Sequence, residues 1–527
     1  MRTSTVEQIH SRRYATLAVL CLSLLAVVVD GSIVNVTIPT LVRALHASTS
    51  SVQWVSDAYV LAMAGLLLSL GSLGDRIGRH RTLAAGLIVF AVGSVLAGLS
   101  SSAGELIAAR VVMGVGAAAI MPSTLSILTN VFTEPLERAK AIAIWSGVAG
   151  LGAAIGPTSG GWLLAHFAWG SVFLVNLPIV AVALMAGRAV VPASRNEHHG
   201  RLDTPGALLS LAGVSALVYA VIEAPNNGWA SATTLVIAGA GLASLAAFAA
   251  VEIRSSHPMV DLRIFTNARF SAASFSVTMV FFALFGMLFL FTQEMQFVLG
   301  YSALAAGVRS LPFALTLGVV SQPAAKAATR LGAKVVVTAG LALMGAGMAT
   351  MSTASAHSTY GFFLPVIVVI GAGMGLAMAP ATESIMGALP RAQAGVGSAV
   401  NDTTRNLGGA LGIAIMGSVA SSTFAAHLHP YLGHLPLGVA AQANTSIGAA
   451  VGVGGHIPGA AGHQLVDVAR QAFVTGADHA LLVAVITAAA GALVAARYLP
   501  SRAAAAASAP ATEPATVQPE FVHAQTA

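Results

Sequence analysis

Long apolar segments constrain this chain more than any other feature of its sequence. Of its 527 residues, 56% are hydrophobic and only 8% are Asp, Glu, Lys or Arg, and the mean hydropathy is +0.82. Soluble domains carry about 25% charged residues, and a helix that crosses a bilayer needs about 20 consecutive apolar residues. The composition therefore indicates a chain that is embedded in a lipid bilayer.

Fourteen segments are long and apolar enough to be predicted as transmembrane helices. Backbone polar groups in lipid must be hydrogen-bonded internally, and runs this uniformly apolar lack the alternation of barrel strands. We therefore predict an all-α integral membrane protein. The predicted spans are 17–38, 54–73, 83–99, 106–128, 141–164, 171–191, 205–222, 234–251, 270–291, 304–320, 335–351, 360–380, 400–421 and 473–496.

The lysines and arginines predict the orientation of these spans. With a cytoplasmic N-terminus, nearly all of them fall in cytoplasmic segments, and only Arg43 and Arg470 lie outside. Arg110, Arg309 and Arg405 fall within spans or at their edges. The positive-inside rule then places both termini in the cytoplasm. It also accounts for the net charge of +6 without nucleic-acid binding, for which no clustered basic domain is present.

The cysteine and histidine content limits the cofactor chemistry that we expect. Cys21 is the only cysteine and lies in the first span, so an intramolecular disulfide or a thiolate cluster is excluded. His456 and His463 lack tight ligand spacing, and we predict no metal site. The first apolar run is too long for the core of a typical signal peptide, so we expect it to be retained as a span.

A weak internal repeat predicts two related halves. Arg76-Ile-Gly78-Arg79 follows span 2, and Arg330-Leu-Gly332-Ala-Lys334 follows span 10, although the second copy lacks an acid. Blocks of six helices then fit as spans 1–6 and 9–14, with spans 7 and 8 inserted. The predicted organisation is a cytoplasmic N-tail (1–14), an N-terminal six-helix bundle (15–192), a cytoplasmic linker (193–203), two inserted helices (204–252), a cytoplasmic linker (253–269), a C-terminal six-helix bundle (270–499) with a long outer loop (423–471), and a disordered cytoplasmic tail (500–527).

Four motifs resemble those of one transporter family. GSLGDRIGRHR (71–81), LIAARVVMGVGAAAIMP (106–122) and GLGAAIGPTSGG (150–161) resemble the loop 2–3, span-4 and span-5 antiporter motifs of the major facilitator superfamily. LAVVVDGSIVNVTIP (25–39) resembles the span-1 motif of its fourteen-spanner drug:proton antiporters, the QacA/EmrB/SmvA-type group. The resemblance implies a major facilitator fold of two six-helix bundles with two inserted helices, in a bacterial cytoplasmic membrane.

The resemblance also implies a function. It predicts proton-coupled multidrug efflux by a secondary active antiporter that exports lipophilic, cationic drugs or antiseptics. The alternatives are a dedicated exporter of one endogenous metabolite or antibiotic and a membrane sensor that transports nothing. A phosphate-binding GxxxxGK[ST] loop is absent from the sequence, which excludes a self-contained ATP-driven pump. The resemblance to a secondary transporter further implies no enzymatic activity and no cofactor, with a proton gradient as the energy source. The expected partners are the lipid bilayer, small-molecule drugs and protons, without nucleic acid or an obligate protein partner.

Acidic residues in or near the spans are the candidates for proton coupling, because ionisable groups in lipid are costly and are functional by default. Asp30 in span 1 and Arg110 in span 4 lie at comparable depth, and an ion pair would satisfy both. This pair is either a static salt bridge or a switch in which protonation of Asp30 releases Arg110. Glu383 and Asp402, near the inner mouth of spans 12 and 13, are further candidates. Asp57 is expected at the outer end of span 2.

The substrate-binding candidates cluster near the outer end of span 9. Glu294 is flanked by Gln293 and Gln296, and three phenylalanines are close in sequence, a combination that could line a cavity for an aromatic cation. Asn35 in the span-1 motif and Glu223 at the outer end of span 7 complete this set. A solvated helix end is the competing interpretation for the acids.

The motif residues are candidates for gating. Small residues let helices approach closely, and proline removes a backbone donor and bends a helix, so a tight, kinked span 5 would limit leakage. Ordinary small-residue packing is the alternative. Asp75 is predicted to latch one conformation, whereas the arginines beside it serve equally well as membrane anchors. The gating set comprises Gly71, Asp75, Arg76, Gly78, Arg79, Arg81, Gly152, Gly156, Pro157, Gly160 and Gly161, with the four span-5 glycines placed on one helix face.

Overall fold

The computed structural model describes residues 6–132, 134–192, 204–255, 262–389 and 394–501. These residues form helices and no strands. The α-helices are α1 (Val6–Leu45), α2 (Thr49–Ile77), α3 (Arg79–Leu99), α4 (Ala103–Val131), α5 (Pro135–His166), α6 (Ser171–Leu174), α7 (Asn176–Val190), α8 (Thr204–Asn227), α9 (Ala232–Arg254), α10 (Ala268–Gln293), α11 (Ala303–Leu331), α12 (Ala333–Met351), α13 (Tyr360–Met386), α14 (Ala394–Leu432), α15 (Leu437–Ala443), α16 (Ile447–His456) and α17 (Ala460–Tyr498). A 3₁₀ turn (Leu262–Thr266) precedes α10, and a π-helical turn (Glu294–Val298) follows it.

Each predicted apolar run coincides with helical structure, and α6 and α7 together correspond to the sixth run. Within the described ranges, twelve helical segments are long and apolar enough to cross a membrane. The helices α2 and α5, at predicted spans 2 and 5, are not among these twelve. The prediction of an all-helical membrane fold is therefore confirmed at the level of about twelve apolar helices.

Two glycines break the chain at equivalent places in the two halves. Gly78 separates α2 from α3 with φ of 110°, and Gly332 separates α11 from α12 with φ of 90°. Residues with a side chain rarely adopt positive φ, so glycine is required at such sharp junctions. The repeat proposed from the sequence is thus reproduced in the backbone.

The helices pack as two bundles and one inserted pair. In the first half, α4 packs against α2 and α3, and α1 packs against α5 and α7. In the second half, α10 packs against α14, α13 against α11 and α12, and α17 against α12 and α14. The inserted helices α8 and α9 pack on each other, and α8 also contacts α2 and α14, one helix from each half.

The halves meet through α5 with α11 and through α2 with α14. We use "outer" and "inner" for the predicted extracellular and cytoplasmic ends. At the outer end, a Cβ added to Gly161 would lie 2.5 Å from Leu304 Cα, so the backbones of α5 and α11 touch. The Thr49 N–H at the start of α2 donates to the Thr445 carbonyl at 3.2 Å. The two bundles are therefore closed against each other at the outer end.

The segment predicted as a long outer loop, 423–471, is mostly helical. Helix α14 continues to Leu432, α17 begins at Ala460, and α15 and α16 lie between them. Helix α16 packs on α17 and on α1. Hydropathy marks only the part of a helix within lipid, so the sequence pattern did not reveal these extensions. Similarly, α1 begins at Val6 inside the predicted N-tail. The linker 193–203 and the tail from 502 onward lie outside the described residues.

Candidate transport site

The predicted ion pair between Asp30 and Arg110 is confirmed. Arg110 Nη1 on α4 donates to Asp30 Oδ2 on α1, and the two side chains are 1% and 0% exposed. Charges buried this deeply are tolerated only when their other polar atoms are also bonded. The surroundings of the pair must therefore supply further partners.

Helix α2 supplies two of these partners to Arg110. Arg110 Nε donates to the Val55 carbonyl at 2.9 Å. The guanidinium also lies over the Tyr59 ring, 4.1 Å from its centroid, in a cation–π arrangement. Tyr59 Oη in turn donates to the Val27 carbonyl on α1 at 3.3 Å. Arg110 thus joins α1, α2 and α4.

Asn176 supplies a second donor to Asp30. It is fully buried at the start of α7, and its Nδ2 donates to Asp30 Oδ1 at 3.1 Å and to Ser94 Oγ on α3 at 3.3 Å. The exchange cluster, as we call Asp30, Arg110, Asn176, Tyr59 and Ser94, therefore connects five helices of the first half. Neutralising Asp30 would weaken contacts to two of them at once.

The sequence interpretation missed Asn176 and Tyr59. Asn176 is a polar residue within an apolar run. Charged residues in lipid are functional candidates, and applying the same criterion to amides would have identified Asn176. Tyr59 gave no such signal, because an aromatic ring in a span is ordinary.

The second half contains its own charged cluster near the inner end. Arg405 Nη1 lies 3.9 Å from Asp402 Oδ1, one turn earlier on α14. Arg405 Nη2 donates to Thr382 Oγ1 on α13 at 3.2 Å, and its guanidinium lies 5.5 Å from the Phe281 ring centroid on α10. Glu383, the next residue on α13, is exposed. The structure therefore brings Asp402 and Arg405 together and leaves Glu383 outside this cluster.

Gln293, Glu294 and Gln296, at the π-helical turn after α10, contact different parts of the molecule. Gln293 lines a small pocket of the second half, which Thr49 of α2 also borders. Gln296 Nε2 donates to the Val36 carbonyl on α1 at 2.9 Å, which links α1 to the second half. Glu294 is buried, and its Oε1 has no hydrogen-bond partner within the described part of the chain. The charged neighbour that acts on it is a second acid, Asp478 on α17, which repels a negative charge on Glu294.

A pocket is present at this position, but it is far too small for a drug molecule in this closed conformation, and its lining differs from the prediction. Phe289, Phe424 and Phe473 line it together with Gln293. Phe291 instead packs against Phe363, with ring centroids 6.0 Å apart. In an α-helix, each residue points about 100° away from the one before it. Residues that are adjacent in sequence therefore face different surfaces.

Asn35 and Glu223 occupy different environments. Asn35 is buried on α1, five residues beyond Asp30. Glu223 is half-buried near the outer end of α8 and accepts a hydrogen bond from Asn226 Nδ2 at 3.0 Å. Asn226 also reaches Ser50 Oγ on α2 at 3.4 Å. Glu223 therefore lies close to the outer contact between α8 and α2.

The position expected for Asp57, at a helix end, is wrong. Helix α2 begins at Thr49, so Asp57 lies two turns inside it, and its side chain is fully buried. The apolar run alone placed the start of the span near Trp54, because the first turn of α2 is polar.

The motif between α2 and α3 packs mainly within the first half. Arg79 Nη1 donates to the Ser126 carbonyl on α4 at 3.2 Å, and Gly71 faces Pro122 of the same helix. Arg76 is half-buried and Arg81 is exposed. The side chain of Asp75 lies outside the described residues, so its predicted latch stays a prediction.

The glycines of α5 divide between two faces. Gly152, Gly156 and Gly160 face α1, where an added Cβ would meet Val28, Ser32 and Ile33. Gly161 faces Leu304 on α11. The placement of the whole set on one face is therefore wrong for Gly161, which is one residue, or about 100°, further round the helix.

Pro157 also belongs to the face of α5 that meets the second half. Its carbonyl lies against Gly307 of α11, and an added Cβ on that glycine would collide with it. Helix α5 thus packs closely on α1 with one face and closes the outer contact between the halves with another.

The chain resembles known transporters over most of its length. The family model described as Major Facilitator Superfamily matches residues 20–413. Multidrug resistance protein Stp of Mycobacterium tuberculosis is 36% identical over 493 residues, which cover 92% of each chain. Multidrug efflux pump LfrA of Mycolicibacterium smegmatis is 34% identical over 93% of this chain and 97% of its own.

A solved structure shares the fold. The crystal structure of a bacterial homologue of the human lysosomal transporter Spinster, inward-facing and unoccupied, superposes with a TM-score of 0.65. The alignment covers 93% of this chain and 98% of that one, at 17% sequence identity. At this identity the likeness establishes the architecture alone.

Proposed function

Because this chain belongs to the major facilitator superfamily, we propose that it is a proton-coupled antiporter that exports lipophilic cationic drugs. It is a multi-pass protein of the bacterial cytoplasmic membrane. Relatives named for multidrug resistance and multidrug efflux, matched over nine-tenths of both chains, support the drug assignment. We propose fourteen spans with both termini cytoplasmic, supported by the helices at all fourteen predicted runs and by the distribution of lysine and arginine.

The buried exchange cluster is the observation that carries this proposal. Asp30 is a titratable group held by donors from α4 and α7. A proton on Asp30 would cancel its charge and leave Arg110 without its charge partner in a low-dielectric setting, where electrostatic interactions are strong. Arg110 also holds α2 through the Val55 carbonyl. Protonation would therefore change the contacts that join α1, α2, α4 and α7.

The apolar lining of the pocket beside Gln293 suits an aromatic substrate, and the pocket must widen to hold one when the outer end opens. Its phenylalanines offer ring faces, and it lies where both halves contribute, since Thr49 on α2 and Phe289 on α10 line it. Cavities that bind ligands are mostly apolar with a few placed polar groups. We propose that these residues line the path of the exported molecule once the outer end opens.

Substrate-induced proton release tests the function directly. The purified protein in proteoliposomes, offered a panel of cationic dyes, should release protons on dye addition, and Asp30→Asn should release none. Asp467→Asn, an exposed acid on α17, is the matched control and should behave as wild type. Dye binding without any proton release in the wild type would refute antiport.

The charge preference of the substrate gives a second test. We expect Glu294→Gln to reduce export of ethidium-like cations more than export of neutral drugs, because a desolvated carboxylate attracts a cation strongly. Glu383 is exposed, so the same preference in Glu383→Gln would require that the substrate itself shields this carboxylate from water. Equal loss for both substrate classes would indicate a folding or coupling role. Unchanged export of both would remove these two residues from the substrate site.

A further inference from the structure

Arg309 is a half-buried cation near the outer end of α11 that the proposed transport mechanism does not use. Lysine and arginine are rare on the outer side of a membrane, so an arginine at this place is unusual. It forms no ion pair with the residues that the structure describes, and its Nε is buried without a hydrogen-bond partner among them. The described part of the protein therefore leaves this positive charge unbalanced.

Two tyrosines hold the Arg309 guanidinium in place. Its Cζ lies 4.0 Å from the ring centroid of Tyr301 and 5.3 Å from that of Tyr360, at the start of α13. Tyr360 Oη also donates to the Arg309 carbonyl at 2.9 Å, which fixes this ring against α11. Cation–π contacts use the ring faces and leave the N–H groups free. Arg309 Nη1 donates to the Ala305 carbonyl at 3.2 Å, so the remaining donors of the guanidinium can still bind an anion.

The acids of the surrounding helices lie too far along the chain to balance Arg309. Helices α11 and α12 contain no Asp or Glu. The main neighbours of α11 are α5 and α13, whose acids, Glu137 and Glu383, lie at the opposite, inner ends of these helices. Glu294 in the π-helical turn is buried and acted on by Asp478 of α17. An anion that balances Arg309 is therefore expected from outside the protein.

The surroundings of Arg309 are those of a lipid headgroup. Arg309 lies in the second turn of α11, about 9 Å from the start of the helix at 1.5 Å per residue. Its bond to the Ala305 carbonyl, one turn nearer the outer end, shows that the guanidinium extends toward that end. Helix α11 exposes Val308, Leu315 and Val319 along one apolar face, and Arg309 borders this face. The charge thus lies beside a surface that acyl chains cover, at the depth where a bilayer becomes polar.

We infer that Arg309, held between Tyr301 and Tyr360, binds the phosphate of an anionic phospholipid in the outer leaflet. A guanidinium offers parallel N–H donors that match two phosphate oxygens. Any phosphate ester shares this chemistry, and the apolar face of α11 beside the charge selects a lipid over a soluble ester. A lipid with net negative charge is preferred to a zwitterionic one, because Arg309 has no other counterion. Only the naming of the outer leaflet rests on the proposed topology.

Native mass spectrometry of the purified full-length protein tests this lipid site without any transport. The wild type should retain one molecule of phosphatidylglycerol more tightly than phosphatidylcholine. Arg309→Gln should bind phosphatidylglycerol about tenfold more weakly, as expected when a hydrogen bond to a charged group is lost. Arg43→Gln is the matched control, because Arg43 is another outer arginine that lies over an aromatic ring, that of Phe297. It should bind the lipid as the wild type does.

Two further measurements guard against a folding defect and identify the source of the phosphate. Arg309→Lys keeps the charge but cannot form two parallel bonds, so its affinity should lie between those of the wild type and Arg309→Gln. Glycerophosphoglycerol, the same headgroup without acyl chains, should not displace the bound lipid.

Four outcomes would overturn the lipid site. These are wild-type affinity in either folded variant at position 309, an equal loss in Arg43→Gln, equal retention of phosphatidylcholine, and displacement of the lipid by the free headgroup. Proton release by the wild-type protein in proteoliposomes decides antiport separately, so failure of the lipid site and failure of the proposed function are distinguishable.

Discussion

The buried carboxylate of Asp30 is stabilised by its hydrogen-bond donors Arg110 and Asn176. The first prediction concerns the loss of this carboxylate. We expect Asp30→Asn to abolish proton-coupled export while the protein still inserts in the membrane. The amide cannot titrate, and it leaves Arg110 as an uncompensated buried charge, which costs about 3–5 kcal/mol when one member of a buried pair is removed. Dye efflux from cells and thermal stability in detergent measure the two effects.

A paired variant separates stability from coupling for this residue. Arg110→Gln added to Asp30→Asn removes the stranded charge, so thermal stability should recover while export stays absent. Wild-type export by Asp30→Asn would show instead that the pair is a static salt bridge.

Asn176 provides the second prediction, which concerns pH. Asn176→Ala removes the donor to Asp30 Oδ1 and Ser94 Oγ, at about 1–3 kcal/mol for the buried acceptors left unpaired. Asp30 then loses one of its two side-chain donors, and Arg110 Nη1 remains as the other. Proton-coupled export should fall, and its pH profile should differ from that of the wild type. Asn226→Ala, an exposed amide, should leave the profile in place, and an unmoved profile in Asn176→Ala would contradict the assigned role.

The sequence reveals individual charged residues better than their environments. Asp30 and Arg110 could be paired in advance because both interrupt apolar runs, and an unpaired charge in lipid is costly. Asn176 and Asp57 could not be assigned, because their importance arises from which helices pack on them. The sequence around Asp57 is typical of a solvated helix end. Asp57 is buried because other helices pack over this part of α2.

Helix α5 offers a matched pair of glycines for a prediction about close packing. We expect Gly156→Leu to impair export and lower thermal stability, because the added side chain would push against Ser32 on α1; overpacking costs about 1–3 kcal/mol. Gly147→Leu on the same helix should be tolerated, since a Cβ there meets nothing within 4 Å. Export and melting temperature of the two variants, at equal expression, are the measurements. Similar behaviour of the two would mean that close α1–α5 contact is unimportant.

The sequence predicts the parts of the helices that lie within lipid, and it does not predict the parts that extend outside the bilayer. An apolar run of about 20 residues has to be helical in a bilayer, and all fourteen runs are found in helices. The helical segments that extend past the apolar runs, such as the end of α14 and the start of α17, are stabilised by packing between helices. Hydropathy carries no record of that packing, so the sequence predicts a long outer loop with room for short helices over 423–471, and not the extensions of the two flanking spans.

The two halves repeat one plan, and their junction is where the molecule must change shape. The positive-φ glycines Gly78 and Gly332 mark the same turn in each half, which the sequence repeat predicted. The closure of the outer end could not be predicted, because it depends on backbone contact between α5 and α11 and on the α2–α14 contact. Helix α8 touches both α2 and α14, so it contacts one helix of each half at this junction.

The energy source is the prediction that concerns the molecule as a whole. We expect export to require a proton gradient and to be independent of ATP, because the titratable exchange cluster is buried and the chain has no GxxxxGK[ST] loop. A protonophore should stop dye export at once in cells whose ATP level is held constant. Conversely, in ATP-free proteoliposomes an imposed gradient, acid on the side that corresponds to the cell exterior, should drive transport of dye toward that side. The direction follows from exchange, since protons moving down their gradient across the protein must be matched by substrate moving the other way. Asp30→Asn liposomes control for passive leakage of dye. Export that continues after the gradient has collapsed, with ATP still present, would falsify proton coupling.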